Sequence, residues 1–296
     1  MNNDAIFRTP DDRFAGLPGF PYEPHYREWE GLRLAHVDTG GDGPVALLLH
    51  GEPTWSYLWR KVIPPLVDAG YRCVAPDLPG FGRSDKPTDL GWYTYDRLTA
   101  SLHHLIETLD LEEITFVVHD WGGPIGLRAA TETPERVKRI VAMDTGVFTG
   151  TFKMSDNWQM FADFVANTPD LPIGFLVKGA CVREMSDDVF AAYEAPFPTP
   201  ESKTAARAMP PMIPREETTP DARTGQRVLE ELAAASWPKL VLWADKDPVL
   251  PPKLGQAFTE RIGAEGPRTI ENAGHFLQED AGEQIGAAIV QWLARN

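Results

Sequence analysis

The sequence predicts an α/β protein in which a mostly parallel sheet is flanked by helices and interrupted by an inserted helical segment. Short apolar runs, typical of strands buried on both faces, alternate with stretches whose apolar residues recur at helical spacing. This alternation stops in the middle of the chain, where prolines recur, and then resumes. In an open α/β sheet of this kind, ligands bind at the carboxyl ends of the strands.

The predicted strands differ in their patterns. Residues 31–38 alternate in polarity, which is typical of an edge strand, whereas residues 45–49 are continuously apolar, which is typical of a buried parallel strand. Further strands are predicted at residues 73–75, 116–118, 140–143, 240–243 and 268–270. Apolar residues at helical spacing predict a helix over 95–109, and a last amphipathic helix carries apolar residues from 285 to 293.

The interruption defines the predicted domains. From residue 146 to about residue 219, prolines separate short helical patches, and the strand–helix alternation is absent. We therefore expect a core formed by residues 1–146 and 220–296, with a helical cap of residues 147–219 inserted between two strands.

Composition disfavours several classes of partner. The formal net charge of −15 over 296 residues argues against nucleic acid and anionic membrane surfaces. No apolar run approaches membrane-spanning length, and residues 1–12 lack a leader pattern, so we expect a cytoplasmic protein. The two cysteines, Cys73 and Cys181, are expected to be buried thiols without a disulfide. With no metal-ligand pattern and no phosphate-binding glycine loop, neither a metal nor a cofactor is expected.

The candidate nucleophile lies in the segment FVVHDWGGP at residues 116–124, where an apolar run passes directly into paired glycines. In α/β-hydrolases this strand–turn–helix junction is the nucleophile elbow, a strained bend that exposes one reactive side chain. The reactive position here is Asp120. An ionised carboxylate attacks without a base to deprotonate it, which favours attack on a saturated carbon and an alkyl ester intermediate. The alternative is that Asp120 only caps the following helix.

Two further residues complete the α/β-hydrolase chain order of nucleophile, acid and base. His275 follows a predicted strand and a glycine near the end of the chain, where the base of this fold lies. Asp247 follows the strand ending at Trp243 and precedes Pro-Val, which makes it the favoured acid. Asp144, after the strand that precedes the insertion, is the alternative acid because some relatives carry their acid there.

Three motifs in register resemble haloalkane dehalogenases, from residue 50 to residue 275. They are HGEPTWSYL at residues 50–58, HDWGG at 119–123 and GHF at 274–276. The resemblance is to the subfamily with a glutamate beside the oxyanion hole and the acid after the later strand. It implies the α/β-hydrolase fold with a helical cap, and Asp120, Asp247 and His275 as the catalytic residues.

The resemblance also implies the partners and the remaining site residues. The substrate is a small halogenated alkane, water is the second reactant, and a chloride or bromide ion is a product. The indole N–H groups of Trp121 and Trp158 bind the halide, with Phe161 as the alternative to Trp158 at the pocket. The backbone N–H groups of Glu52 and Trp121 form the oxyanion hole. The Glu52 side chain either places the water or supports the loop.

Two other functions remain open from the sequence. An epoxide hydrolase uses the same aspartate nucleophile but protonates the epoxide oxygen, usually through two cap tyrosines, and the predicted cap contains only Tyr193. A non-catalytic binding protein of the same fold can keep both the pocket and the catalytic residues. A fluoroacetate dehalogenase is disfavoured by Trp121, since an arginine is expected after its nucleophile.

Overall fold

One eight-stranded sheet dominates the fold, with a separate two-stranded sheet formed by the first and sixth strands. A computed structural model describes residues 6–151 and 156–296 of the chain. The strands are β1 (Ile6–Phe7), β2 (His25–Trp29), β3 (Leu32–Asp38), β4 (Val45–Leu49), β5 (Arg72–Pro76), β6 (Lys86–Pro87), β7 (Ile114–His119), β8 (Val137–Met143), β9 (Lys239–Ala244) and β10 (Glu265–Ile270).

Helices separate most of these strands along the chain, as the predicted alternation requires. They are α1 (Ile63–Asp68), α2 (Tyr95–Thr108), α3 (Gly122–Glu132), α4 (Asp156–Asn167), α5 (Ile173–Gly179), α6 (Asp187–Glu194), α7 (Thr204–Met212), α8 (Pro220–Ala234), α9 (Pro252–Ile262) and α10 (Leu277–Leu293).

The strand order of the large sheet is β10-β9-β8-β7-β4-β5-β3-β2. Neighbouring strands from β10 to β5 are parallel, whereas β3 and β2 add antiparallel to this set. After β4 the chain first adds β5 on one side and later adds β7 on the other. The crevice between β4 and β7 is therefore the topological switch point, where ligands bind in open α/β sheets.

The central strands are buried on both faces because nearly all of their side chains are apolar. Every residue of β4 and of β7 is buried, and the same holds for β9. Continuous apolar runs form such strands because helices cover both faces of the parallel sheet. The predicted α/β class with a mostly parallel sheet is thus confirmed.

Two local predictions were wrong. Residues 32–38 are not an edge strand, because β3 pairs with β5 on one side and with β2 on the other. The edge on this side of the sheet is β2, where Arg27 is the one buried residue. Cys73 is buried as expected, but Cys181 is only partly buried, since it lies just beyond the end of α5.

The segment between β8 and β9 contains α4 to α8 and no strand among its described residues, and α4 to α7 lie within the predicted cap. The next helix, α8, packs against α3 and α9 of the sheet-bearing part. The boundaries of the cap, residues 147–219, stay a prediction. In the described part of the chain, no helix combines the length and the hydropathy that a membrane crossing needs.

Candidate active site

The bend between β7 and α3 holds Asp120 in a strained conformation. Its φ is +47°, in the left-handed region that non-glycine residues rarely adopt. The hydroxyl of Thr145 donates to the Asp120 carbonyl oxygen at 2.6 Å, which fixes the turn. A Cβ atom at Gly122 would lie 2.2 Å from the carbonyl oxygen of Leu49, so only glycine lets α3 start this close to β4. The predicted elbow therefore exists, with Asp120 at its tip.

Backbone donors surround the Asp120 carboxyl group. The N–H of Glu52 donates to Oδ1 at 2.8 Å, and the N–H of Trp121 also hydrogen-bonds the carboxyl group. Burial by itself would raise the pKa of Asp120, but the hydrogen bond and charge of His275 outweigh it, and the pKa is lowered. Asp120 is therefore held as the carboxylate, which is the form that attacks carbon.

His275 bridges Asp120 and Asp247. Its Nδ1 lies 2.7 Å from Oδ2 of Asp247, and its Nε2 lies 3.4 Å from Oδ2 of Asp120. The other oxygen of Asp247 accepts the N–H groups of Val249 and Leu250 at 2.7 and 2.9 Å. Burial would lower the pKa of His275, but the negative charges of the two aspartates raise it well above its usual value.

Asp144 lies beside this arrangement, at the end of β8. Its carboxyl group is fully buried, and its Oδ1 accepts the N–H of Ala244 at 2.9 Å. One carboxylate oxygen each from Asp144 and Asp247 and a ring nitrogen of His275 lie within 4.8 Å of one another. Burial, and then the charge of Asp247, raise the pKa of Asp144 well above its usual value. The direct partner of the imidazole Nδ1 is thus Asp247.

A cavity of about 410 Å³ opens onto Asp120 and His275. This volume suits a small ligand. The wall is mostly apolar, and its tryptophans and phenylalanines are Trp121, Phe148, Trp158, Phe161, Trp243, Phe258 and Phe276. A mostly apolar wall around the Asp120 carboxylate favours a neutral, apolar substrate over a charged one.

The two predicted halide-binding tryptophans both line this cavity. Trp121 is buried and packs edge-to-face on Phe148, with ring centroids 4.6 Å apart. Trp158, on α4, is also buried, and the Arg215 guanidinium lies 5.5 Å from its ring centroid. Phe161, one helical turn further along α4, lines the cavity as well. Both of these α4 residues therefore face the cavity, while the choice between Trp158 and Phe161 as the halide contact stays a prediction.

Glu52 contributes both a backbone donor and a buried side chain. Its Oε1 has no hydrogen-bond partner among the described residues, although the residue lines the cavity. Burial, followed by the nearby charge of Asp120, raises the pKa of Glu52 well above its usual value. Glu52 is therefore held as the neutral acid, which can both donate and accept a hydrogen bond.

Two other histidines near the site support its loops. The Nε2 of His119 lies 2.8 Å from the carbonyl oxygen of His275, and burial lowers the pKa of His119 to about 4. Neutral His119 therefore donates to the loop that carries the base. His50 accepts the N–H of Leu78 at Nε2, at 3.0 Å, so its Nδ1 donates to the Gly51 carbonyl oxygen at 2.9 Å.

One wall of the cavity, formed by α9, was not predicted from the sequence. Leu254, Phe258 and Arg261 line it from α9, with Arg261 exposed at the surface. Their spacing of four and then three residues places them on one helical face, which is a signal that the sequence contains. The sequence does not say that this face lines the cavity.

The chain resembles known proteins over nearly its whole length. Residues 44–282 match the alpha/beta hydrolase fold family. A haloalkane dehalogenase of Psychrobacter cryohalolentis is 40% identical over 98% of this chain and 99% of its own length. One from Mycolicibacterium paratuberculosis is 39% identical over 97% of this chain and 98% of its own. The solved tetrameric haloalkane dehalogenase of Paraglaciecola agarilytica has a TM-score of 0.91 at 37% identity, covering 96% of this chain and 97% of that one. With its elbow aspartate, buried histidine and apolar cavity, this chain belongs to the haloalkane dehalogenase family of the α/β-hydrolase fold.

Proposed function

We propose that this enzyme hydrolyses haloalkanes through an ester on Asp120, which water activated by His275 then cleaves. The overall reaction, which follows from the family, converts a haloalkane and water into an alcohol, a halide ion and a proton. The residue roles rest on one observation: a single imidazole lies 2.7 Å from Asp247 and 3.4 Å from the elbow carboxylate.

In the first step, Asp120 displaces the halide. A carboxylate oxygen forms a bond to the substrate carbon while the carbon–halogen bond breaks, and the halide leaves with the bonding electron pair. The indole N–H groups of Trp121 and Trp158 are neutral donors in an apolar wall, so they stabilise the departing anion where water is excluded. The low pKa of Asp120 keeps the nucleophile ionised for this step.

In the second step, water cleaves the ester. The ester no longer carries the Asp120 charge, which is one of the two charges that raise the pKa of His275, so the imidazole can lose its proton. Neutral His275 then accepts a proton from water at Nε2 while the water oxygen bonds to the Asp120 carboxyl carbon. The backbone N–H groups of Glu52 and Trp121 hold the resulting oxyanion, since both already bond this carboxyl group. The intermediate then expels the alcohol oxygen, which takes the proton from His275. Asp120 finally releases the second water proton and returns to the carboxylate.

The Glu52 side chain places the water in this scheme. It is buried, neutral and without a protein partner for Oε1 among the described residues, and it lies beside both Asp120 and His275. A buried polar atom of this kind needs a partner, and a water in the cavity supplies one.

The inserted segment of residues 147–219 acts as the cap that closes the cavity. Trp158 and Phe161 reach the cavity wall from α4, and the apolar lining suits a small haloalkane. With a net charge of −15, we expect neither nucleic acid nor an anionic membrane as a partner.

An epoxide hydrolase is disfavoured by the position of the cap tyrosine. Its phenol oxygen must reach the epoxide oxygen, but the Tyr193 hydroxyl is fully buried and donates to Glu279 at 2.5 Å. No tyrosine lines the cavity in the part of the chain that the structure describes. The tyrosine donors usual for epoxide opening are therefore missing from the described lining of the cavity.

Halide release tests the proposal. The full chain is incubated with 1,2-dibromoethane or 1-bromobutane, and the released proton is followed with a pH indicator. We expect turnover by the native chain, none by Asp120→Ala, and unchanged turnover by Asp96→Asn, whose carboxylate is exposed on α2. Styrene oxide is tested by diol formation, because epoxide hydrolysis releases no proton. Turnover of styrene oxide alone would favour an epoxide hydrolase, and no turnover of any of these compounds would leave a binding protein.

A further inference from the structure

Asp144 is a strained, buried aspartate one strand away from the nucleophile. Its φ is +37°, and it follows β8 just as Asp120, with φ +47°, follows β7. Strained non-glycine residues cluster at functional sites, because only a surrounding structure that requires them can hold them. The proposed mechanism above gives Asp144 no task.

The contacts of Asp144 fit a carboxylic acid better than a carboxylate. Its Oδ1 accepts the N–H of Ala244, but its Oδ2 has no donor among the described residues. The titratable groups facing it are Asp247, from the loop after β9, and His275, from the loop after β10. The side chains of Asp144 and Asp247 interact, so a proton on Oδ2 would give this unpaired oxygen a hydrogen bond to make with Asp247.

We propose that Asp144 keeps a proton and donates it in a hydrogen bond to Asp247, so that the two carboxyls share one negative charge beside His275. A second part follows from the same geometry: when Asp247 is neutral, Asp144 ionises and takes over as the acid that stabilises the imidazolium. The proposal rests on the proposed role of His275 as the base of the hydrolysis step.

A single negative charge on the pair of Asp144 and Asp247 suits the hydrolysis step. His275 gains one positive charge when it takes a proton from water, and one carboxylate is enough to stabilise it. Two full negative charges would raise the pKa of His275 further and keep it protonated, so that it could not act as a base. Two buried carboxyls this close resist double ionisation for the same reason.

The first experiment compares Asp247→Asn with Asp144→Asn/Asp247→Asn. The amide at position 247 keeps an oxygen for the N–H groups of Val249 and Leu250, so the loop is preserved. We expect the single variant to turn over 1-bromobutane about tenfold faster than the double variant, because Asp144 replaces the missing charge. Equal rates in the two variants would overturn the proposal.

The second experiment measures the pH dependence of kcat for Asp144→Asn. An amide donates to Asp247 as the neutral acid does, so the pKa of His275 should not change. We therefore expect the acid limb of the profile, the range in which kcat falls as His275 becomes protonated, to lie at the same pH as in the native enzyme. If Asp144 were charged, the amide would remove a negative charge near His275 and lower its pKa. The acid limb would then move to lower pH by about one unit, and that shift would refute the proton-sharing pair.

Mass spectrometry separates this proposal from the proposed function. Each variant is mixed with 1-bromobutane, quenched and weighed, and an alkyl adduct on Asp120 shows that the site is folded and that the first step occurs. We expect the adduct in both Asp247 variants. If His275→Phe forms no adduct, the two-step function fails, whereas equal hydrolysis rates with the adduct present refute only the role of Asp144.

Discussion

The Nδ1 of His275 lies 2.7 Å from Oδ2 of Asp247, and this contact fixes what the imidazole can do. A ring nitrogen that donates to a carboxylate leaves the other nitrogen free to accept a proton. That other nitrogen, Nε2, lies 3.4 Å from Oδ2 of Asp120, on the side of the ester to be cleaved. The contact therefore directs the basic nitrogen of His275 to the second chemical step.

Replacing the base by an apolar ring should separate the two steps. In His275→Phe, Asp120 still attacks the haloalkane, but water is no longer deprotonated, so we expect the alkyl-enzyme to accumulate. Turnover should fall by about 10²- to 10⁴-fold, the usual range for losing a general base. Intact-protein mass spectrometry after incubation with 1-bromobutane checks this, with Asp120→Asn as the control that forms no adduct. An unmodified His275→Phe protein would contradict the scheme.

Removing one indole N–H donor should weaken halide binding. In Trp158→Phe the ring remains but the N–H is lost, so we expect bromide to inhibit turnover about tenfold more weakly, consistent with losing a hydrogen bond to a charged group. Phe161→Leu is the matched control, because it changes the same cavity wall without removing a donor. Equal inhibition of Trp158→Phe and the native enzyme would assign the second donor to another residue.

The sequence was sufficient for features set by local pattern. The apolar runs form the buried strands because their composition alone requires burial on both faces. The segment around Asp120 forms an elbow because two glycines, Gly122 and Gly123, come soon after Asp120. The edge strand β2 was missed because four of its five residues are not buried, so its composition lacks an apolar signature. Pairing with β3, which only the fold reveals, makes it a strand.

The choice of acid shows where sequence reasoning stops. Asp144 and Asp247 both follow buried strands, and the strands β8 and β9 are neighbours, so both carboxyls arrive near one imidazole. No local pattern decides which carboxyl bonds Nδ1, because the answer depends on the loop after β9 turning Asp247 toward His275. The same limit applies to α9. The spacing of its residues predicts a common helical face, but it does not predict that this face lines the cavity.

Close packing behind the nucleophile predicts an intolerant glycine. A Cβ at position 122 would lie 2.2 Å from a backbone oxygen of β4. The backbone of a central strand cannot move aside to relieve this clash, as a flexible side chain could. We expect Gly122→Ala to lose about 1–3 kcal/mol of unfolding free energy, or more, and most of its activity. Gly179→Ala is the matched control, since a Cβ there meets no atom within 4 Å. Urea denaturation compares them, and equal stability would contradict the close approach.

Buried His36, outside the active site, should make the protein less stable in acid. Burial, and then the charge of Arg27, lower the pKa of His36 from 6.5 to about 4. Between these values the unfolded chain binds more protons than the folded one, so the free energy of unfolding falls as pH drops from 6.5 towards 4. The contribution is about 3 kcal/mol at most. We expect His36→Gln to reduce the difference in urea-unfolding free energy between pH 7 and pH 4.5; an unchanged difference would exclude His36 as a source.

If Glu52 is neutral, replacing it with glutamine should leave the pH dependence of kcat unchanged, and its backbone and side-chain roles can be tested separately. Glu52→Gln keeps the backbone N–H that donates to Asp120 and stays uncharged, so we expect the acid limb of kcat to remain where it is. An ionised Glu52 would behave differently, because its removal would lower the pKa of His275 and move that limb to lower pH.

Glu52→Ala also keeps the backbone donor but removes the partner for water, so hydrolysis alone should slow by about tenfold and the alkyl-enzyme should accumulate. Rapid-quench mass spectrometry measures this accumulation. If Glu52→Ala instead slowed halide release in the first turnover, the side chain would act in the displacement step and not on water.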